Sequence, residues 1–166
     1  MPTQDPLDPI TEAARLWGEH GWADAAPGMA AVTSLMRAQQ LVLSRVEAVL
    51  KPLGVSFARY EVLMLLVFSR RGTLPMSTIS ARLQVHQTSV TNAVDRLEAA
   101  GLVRRLPHPS DRRTTLIEIT PEGRSLADEA TTLLNREVFN QPGLSARDTT
   151  TLVGILGRLR QSAGDF

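Results

Sequence analysis

The sequence predicts a mainly α-helical chain carrying one small β-hairpin. Three observations predict it. Apolar residues recur at three- and four-residue spacing over most of the 166 residues, the period of a helix face. Near the middle, two short helical stretches stand only about three residues apart, which is a helix-turn-helix arrangement. Just after them, two β-rich runs flank a charged loop.

The elements follow in order. Residues 1–10 hold three prolines and no periodicity, so a mobile tail is expected. Thr11 caps a short helix through His20 with Leu16 and Trp17 on one side, and Gly21 and then Pro27-Gly28 break it. From 29 to 50 the stripe Val32, Leu35, Met36, Leu43, Val46, Val49 and Leu50 marks a long helix, ended by Pro52 and Gly54. Ser56 caps a helix bearing Phe57, Tyr60, Leu63, Met64, Val67 and Phe68, apolar nearly all round and therefore expected between other helices. Arg70-Arg71-Gly72 stops it.

The two short helices run over 77–83 and 87–100, with Gly101 as terminator. Strands are expected over 102–106 and 114–119, the second alternating Thr115, Ile117 and Ile119 against Thr114, Leu116 and Glu118. The loop between them, Pro107-His108-Pro109-Ser110-Asp111-Arg112-Arg113, is too long for a tight turn. Thr120-Pro121 opens a helix with a hydroxyl cap and proline in its first turn, and Leu126, Ala130, Leu133, Leu134 and Val138 carry it to Asn140. After Pro142-Gly143, Ser145 with Asp148 resembles a capping box for a last helix striped by Leu152, Val153, Ile155, Leu156 and Leu159.

A helix-turn-helix followed by a hairpin is a winged helix. The domain reading is a tail and short extra helix over 1–27, a helical dimerisation region over 28–55 and 121–166, and the winged lobe over 56–120. The long flanking helices carry more apolar surface than one small chain can hide, so two chains are expected to interlock as a homodimer.

Charge supports this division. The chain has 18 basic and 17 acidic residues, and a net charge of +1 argues on its face against a polyanionic partner. Counted by segment, Arg59 to Arg113 is +5 and the remainder −4, so the near-neutrality is a cancellation. A basic lobe on an acidic scaffold suits phosphate binding, since the arginine field acts over roughly 10 Å at moderate salt. All but one of the basic residues are arginine, the exception being Lys51.

On the second short helix, with Val90 at zero on a 100° wheel, Ala93, Val94 and Leu97 lie within about 60° and form the core face. Thr88, Asn92, Asp95 and Arg96 point away, Ser89 and Thr91 flank them, and Gln87 lies in the first turn. Such side chains fit a major groove: amides pair with adenine, arginine with guanine, and threonine methyls touch thymine. The other reading is an ordinary solvated face. Arg112 and Arg113 near the hairpin tip can reach a narrow minor groove, with Asp111 accepting from Arg113 or capping the turn; the other reading is a plain charged loop. Arg104 and Arg105 alternate along a strand, so one of them is expected to face phosphate or an acidic neighbour.

The stretch STISARLQVHQTSVTNAVDRLEAAGLVRRLPHPSDRRTTLIEITPEGRSL, residues 77–126, resembles the MarR family of bacterial transcriptional regulators. It carries the family's ordered run of Ser-Val-Thr, Asp-Arg-Leu-Glu, Gly-Leu-Val-Arg-Arg, Asp-Arg-Arg and Ile-Thr-Pro-Glu-Gly-Arg, and a looser likeness covers residues 30–160. The resemblance implies a homodimer on a pseudo-palindromic double-stranded DNA operator, often a repressor. It implies release, in many members, by a small phenolic or aromatic acid bound between the dimer helices and the DNA-binding lobe. It makes Gln87 to Arg96 the recognition helix and Asp111 with Arg113 the wing pair, and casts Ser77 and Thr78 as phosphate contacts. His86 stands where the pattern has a hydroxyl or acidic cap, so it either bonds phosphate or caps poorly. Urate-responsive members place an arginine where this chain has Ala93, so that ligand is not carried over.

Other chemistries find little support. Without cysteine there are no disulfides, thiolate ligands, thiol nucleophiles or peroxide-sensing thiols. His20, His86 and His108 are dispersed, no metal or cofactor is expected, and no nucleophile-base order or phosphate loop points to an enzyme. Trp17, Trp22 and Arg15 either line a pocket or pack a dimer interface. Gly154 and Gly157 suggest close helix approach. No stretch is long enough to cross a bilayer, and no basic-then-apolar leader opens the chain, so a soluble cytoplasmic protein is expected. The rival to a DNA-binding regulator is a winged helix that contacts proteins or senses small molecules without DNA.

Overall fold

The structure, a computed structural model, describes residues 7–83, 87–111 and 113–166, and of Gln87 the backbone alone. Its elements are α1 (Pro9–Glu19), α2 (Ala26–Leu50), a 3-10 turn (Lys51–Leu53), α3 (Phe57–Phe68), β1 (Thr73–Pro75), α4 (Met76–Leu83), α5 (Gln87–Ala99), β2 (Val103–Pro107), β3 (Thr115–Ile119), α6 (Pro121–Leu134), a π-helical turn (Asn135–Phe139) and α7 (Ala146–Ser162). The chain divides within α2 into two units, 1–45 and 46–166.

In the first unit, α1 begins earlier than expected. Asp8, not Thr11, is its cap: the carboxylate accepts from the Ile10 and Thr11 backbone N–H groups at 3.2 Å each, and Pro9 fills the first turn, so residues 9 and 10 are helix rather than tail. Pro27-Gly28 does not break a helix but lies in the first turn of α2, where proline's missing N–H has no helical partner to lose. Trp17 and Trp22 pack at 5.2 Å between ring centroids, and His20 stacks near Trp22. Arg15 is engaged by Glu12 and Glu19 on its own helix rather than turned to a pocket.

In the second unit, one core gathers Val62, Leu63 and Leu66 of α3, Ile79 of α4, Val90, Val94 and Leu97 of α5, and Val103, Ile117 and Ile119 of the sheet. A second joins Val46 and Leu50 to Tyr60, Ala130, Leu134 and Val138. Helix α3 is less enclosed than its composition implies, since Phe68 at its end is 75 % exposed. Its first N–H is satisfied by Glu47, whose Oε1 accepts from Phe57 N at 2.9 Å, and not by the Ser56 side chain.

The sheet has three strands in the order β1-β3-β2, all antiparallel. Strand β1 was not expected, because Thr-Leu-Pro is too short to show alternation; it pairs Leu74 with Ile117 and seats the start of α4 against the hairpin. Thr120 does cap α6: its hydroxyl accepts from Gly123 N at 3.0 Å and donates to the Gly101 carbonyl at 2.8 Å. Ser145 likewise accepts from Asp148 N at 3.1 Å. Nothing within 4 Å crowds a Cβ built on Gly157, so the close approach expected there is not made within this chain.

Candidate nucleic-acid interface

Helix α5 is placed by its apolar side. Val90, Ala93, Val94 and Leu97 are buried, which leaves Thr88, Ser89, Asn92, Asp95 and Arg96 exposed and Thr91 half-buried at the edge. The helical period alone therefore turns a row of short polar side chains and one arginine outward. The side chain of Gln87, residues 84–86 with His86 among them, and Arg112 lie outside the described residues.

The wing is held against this helix by ion pairs. Arg105 of β2 reaches Asp95 of α5 at 2.5 Å and also bridges Glu98, whose Oε1 accepts from Arg105 N at 2.9 Å. Arg104 pairs across the strands with Glu118, its register partner. Both strand arginines are thus paired with carboxylates. An acidic neighbour, one of the two alternatives expected for one of these arginines, is met by both. Its signal was present in the alternation that puts Arg104 and Arg105 on opposite faces, but which acid each would meet depends on how α5 packs.

The wing loop is built by short polar bonds. Asp111 accepts from Arg113 N at 2.9 Å and from Thr114 Oγ1 at 2.6 Å, capping the turn. These bonds, the Thr114 hydroxyl first, hold its carboxyl below the usual carboxylate range. His108, set aside in the sequence, is a second scaffold: its Nδ1 accepts from Asp111 N at 3.1 Å and Ser110 N at 3.3 Å. Among the described residues no acid or acceptor engages the Arg113 guanidinium, which lies exposed.

A cleft of about 400 Å³ joins these parts, lined by Met76 and Ser77 at the start of α4, Thr91 of α5, Arg105, and Arg113, Thr114 and Thr115 of the wing. The fold so brings together Ser77, Thr91 and Arg113, three predicted residues from three elements. Thr78 sits beside Ser77, half-buried. Thr88, Ser89, Asn92 and Arg96 lie on the same exposed face of α5, outside the cleft lining. A groove with hydroxyls, an amide-bearing helix face and a cation at the wing offers hydrogen-bond donors and positive charge together, the chemistry that phosphates and base edges require. Among the described residues, no three His, Asp or Glu side chains are grouped to hold a metal ion.

Known proteins share this fold. The model of the MarR family matches residues 56–115, the span from α3 into β3. The MarR family regulator Sco5413 from Streptomyces coelicolor is 50 % identical, with 84 % of this chain and 97 % of that one covered and a TM-score of 0.76. Sco3205 of the same organism, solved in complex with DNA, is 25 % identical over 80 % of this chain and 84 % of its own, with a TM-score of 0.70. The regulator PecS of Dickeya dadantii (strain 3937) is 28 % identical over 160 residues, 92 % of this chain and 93 % of PecS. With half the aligned residues identical across nearly the whole of one such regulator, and residues 56–115 matched by the family model, this chain belongs to the MarR family.

Proposed function

We infer that the protein is a homodimeric, sequence-specific double-stranded DNA-binding transcriptional regulator, acting in the cytoplasm as a repressor rather than as an enzyme. The observation that carries this is the joined surface of α5, the α4 start and the wing, which is polar and cationic. Thr88, Ser89, Asn92 and Arg96, with Gln87, read bases in the major groove. Ser77, Thr78, Thr91 and His86 bind backbone, and Arg112 and Arg113 enter the minor groove while Asp111 holds the wing turn. The complex of Sco3205 with DNA supports this assignment by kinship.

The dimer is supported by surface that the single chain leaves open. Val32, Leu35, Met36, Val42 and Leu43 of α2 are exposed, and so are Leu152, Val153, Ile155 and Leu159 of α7. Rows of that kind on two long helices are unsettled in water unless covered. Two copies place two recognition helices about 34 Å apart, so the operator is a pseudo-palindrome. Release by a small aromatic ligand completes the reading, and a pocket of about 350 Å³ beneath α3 has the size for it.

The test is a gel shift with the chain's own upstream DNA and with random DNA at two salt concentrations. The regulator shifts its own DNA selectively and loses affinity as salt rises. A winged helix devoted to protein contact shifts neither.

A further inference from the structure

His108 follows β2 directly and joins the two limbs of the wing loop: its N–H donates to the Thr114 carbonyl at 3.3 Å. Its imidazole turns Nδ1 onto the loop backbone, where Asp111 N at 3.1 Å and Ser110 N at 3.3 Å both donate to it, with the Ser110 hydroxyl at 3.4 Å. A backbone N–H can only donate. The Nδ1 that receives two of them therefore carries no hydrogen, and the neutral ring holds its proton on Nε2. Among the described residues Nε2 has no hydrogen-bond partner. None of their buried side-chain nitrogens or oxygens lacks a partner, so an unbonded Nε2 on this half-buried residue is open to solvent. The two ring nitrogens diverge, so fastening Nδ1 to the loop aims the Nε2–H away from it. The loop thus presents one neutral donor, its tautomer and direction fixed by backbone amides.

We propose that His108 is a DNA-backbone contact of the wing, its Nε2–H donating to a phosphate oxygen at the edge of the minor groove. This rests on the reading that Arg113 enters that groove. Arg113 leaves the loop beside Thr114, the residue that His108 meets across it. The minor groove is about 6 Å wide, so a loop that sends one side chain between the strands sets its opposite limb against a sugar-phosphate wall. About half to two-thirds of protein–DNA hydrogen bonds go to phosphate and sugar, from neutral donors as well as cations. The surroundings leave this donor free to act. The carboxylate beside it, Asp111, already accepts from Arg113 N and Thr114 Oγ1, while Arg104 and Arg105 of the adjoining strand are bound to Glu118, Asp95 and Glu98. Arg113 then supplies the charge, and His108 sets the height of the loop over one strand without adding any.

Fluorescence anisotropy at about pH 8, where an ordinary imidazole is neutral, measures binding of the full chain to a duplex of its own upstream DNA and to a random duplex over a salt series. His108→Asn keeps an acceptor at the Nδ1 position, since Asn Oδ1 hangs from the same carbon, but places nothing at Nε2. It should bind both duplexes about fivefold more weakly per wing, the scale of one hydrogen bond, with the parent's salt slope. In NMR spectra of the free chain its Ser110 and Asp111 amide resonances should stay near the parent's. His108→Ala removes acceptor and donor together, so those resonances should move and binding should fall further. Arg113→Ala, in contrast, reduces the salt slope by about one. The proposal is overturned if His108→Asn binds as the parent does, even where His108→Ala is weak, because His108 is then a scaffold of the loop alone. It is overturned equally if the loss in His108→Asn comes with a shallower salt slope, or with amide shifts as large as those of His108→Ala. Should Arg113→Ala bind like the parent, the minor-groove reading fails instead, and the His108→Asn result still decides the phosphate contact.

Discussion

At Gly123 the start of α6 closes on the backbone that leads into β2. A Cβ built there falls 2.0 Å from the Leu102 carbonyl oxygen and 3.0 Å from Ile119 Cγ1. Ordinary contact begins at 3.4 Å, so Gly123→Ala forces the start of α6 away from β2 by about 1.4 Å. The obstacle is backbone, which cannot rotate aside. Overpacking of this kind costs about 1–3 kcal/mol. The same movement stretches the 3.1 Å bond from Thr120 N to Leu102 O, worth about 0.5–1.5 kcal/mol. Alanine's better helix propensity returns at most about 1 kcal/mol. Taken at their midpoints these leave a net loss of about 2 kcal/mol, which for a chain of this length lowers Tm by roughly 4–8 °C. Differential scanning calorimetry of both proteins checks it. If Gly123→Ala melts with the parent or above it, the packing of α6 on the β2 entry is not as described.

Three further outcomes follow from the interface. Asn92→Ala should relax discrimination at one base position by about 1–3 kcal/mol, whereas Arg113→Ala should weaken all sequences alike and reduce the salt slope by about one; competition gel shifts over a salt series tell the two patterns apart. Arg105→Ala should lower DNA affinity although Arg105 faces carboxylates, because the wing loses its hold on α5. In a cycle with Glu98→Gln a coupling of about 0.5–1 kcal/mol is expected, modest because both side chains are about a third exposed, and zero coupling would remove the clamp from the account. Asp111 has a folded pKa below its unfolded value, so its contribution is present above the ordinary carboxylate range and is lost as pH falls through the folded pKa. The Arg113 and Thr114 amide resonances should therefore hold steady from neutral pH down to about pH 4 and move only below it; a midpoint above that range would contradict the turn geometry.

Much of this was legible in the residues, and the exceptions have physical causes. The buried and exposed faces of α5 follow from period alone, since Val90, Ala93, Val94 and Leu97 leave one side for the core. The Thr120-Pro121 start was readable because hydroxyl cap and proline act within four residues. Where two residues could each cap α1, the earlier one prevailed: the two carboxylate oxygens of Asp8 accept from Ile10 N and Thr11 N, so the helix is already under way where Thr11 would have begun it. Strand β1 exists only because β3 gives its three residues a partner, which is tertiary information. Which acids Arg105 would meet belongs to the same class, since it depends on the element that packs opposite.

Two copies of this chain that read DNA with paired recognition helices would leave a two-fold mark in the sequences they select. Selection of bound sequences from random duplex DNA, using the full-length protein, tests it most directly. The account predicts enrichment of an inverted repeat whose half-site centres lie about one helical turn, roughly 34 Å, apart, and its loss with Asn92→Ala. Recovery of unpaired half-sites, or of no sequence above the starting pool, would contradict it.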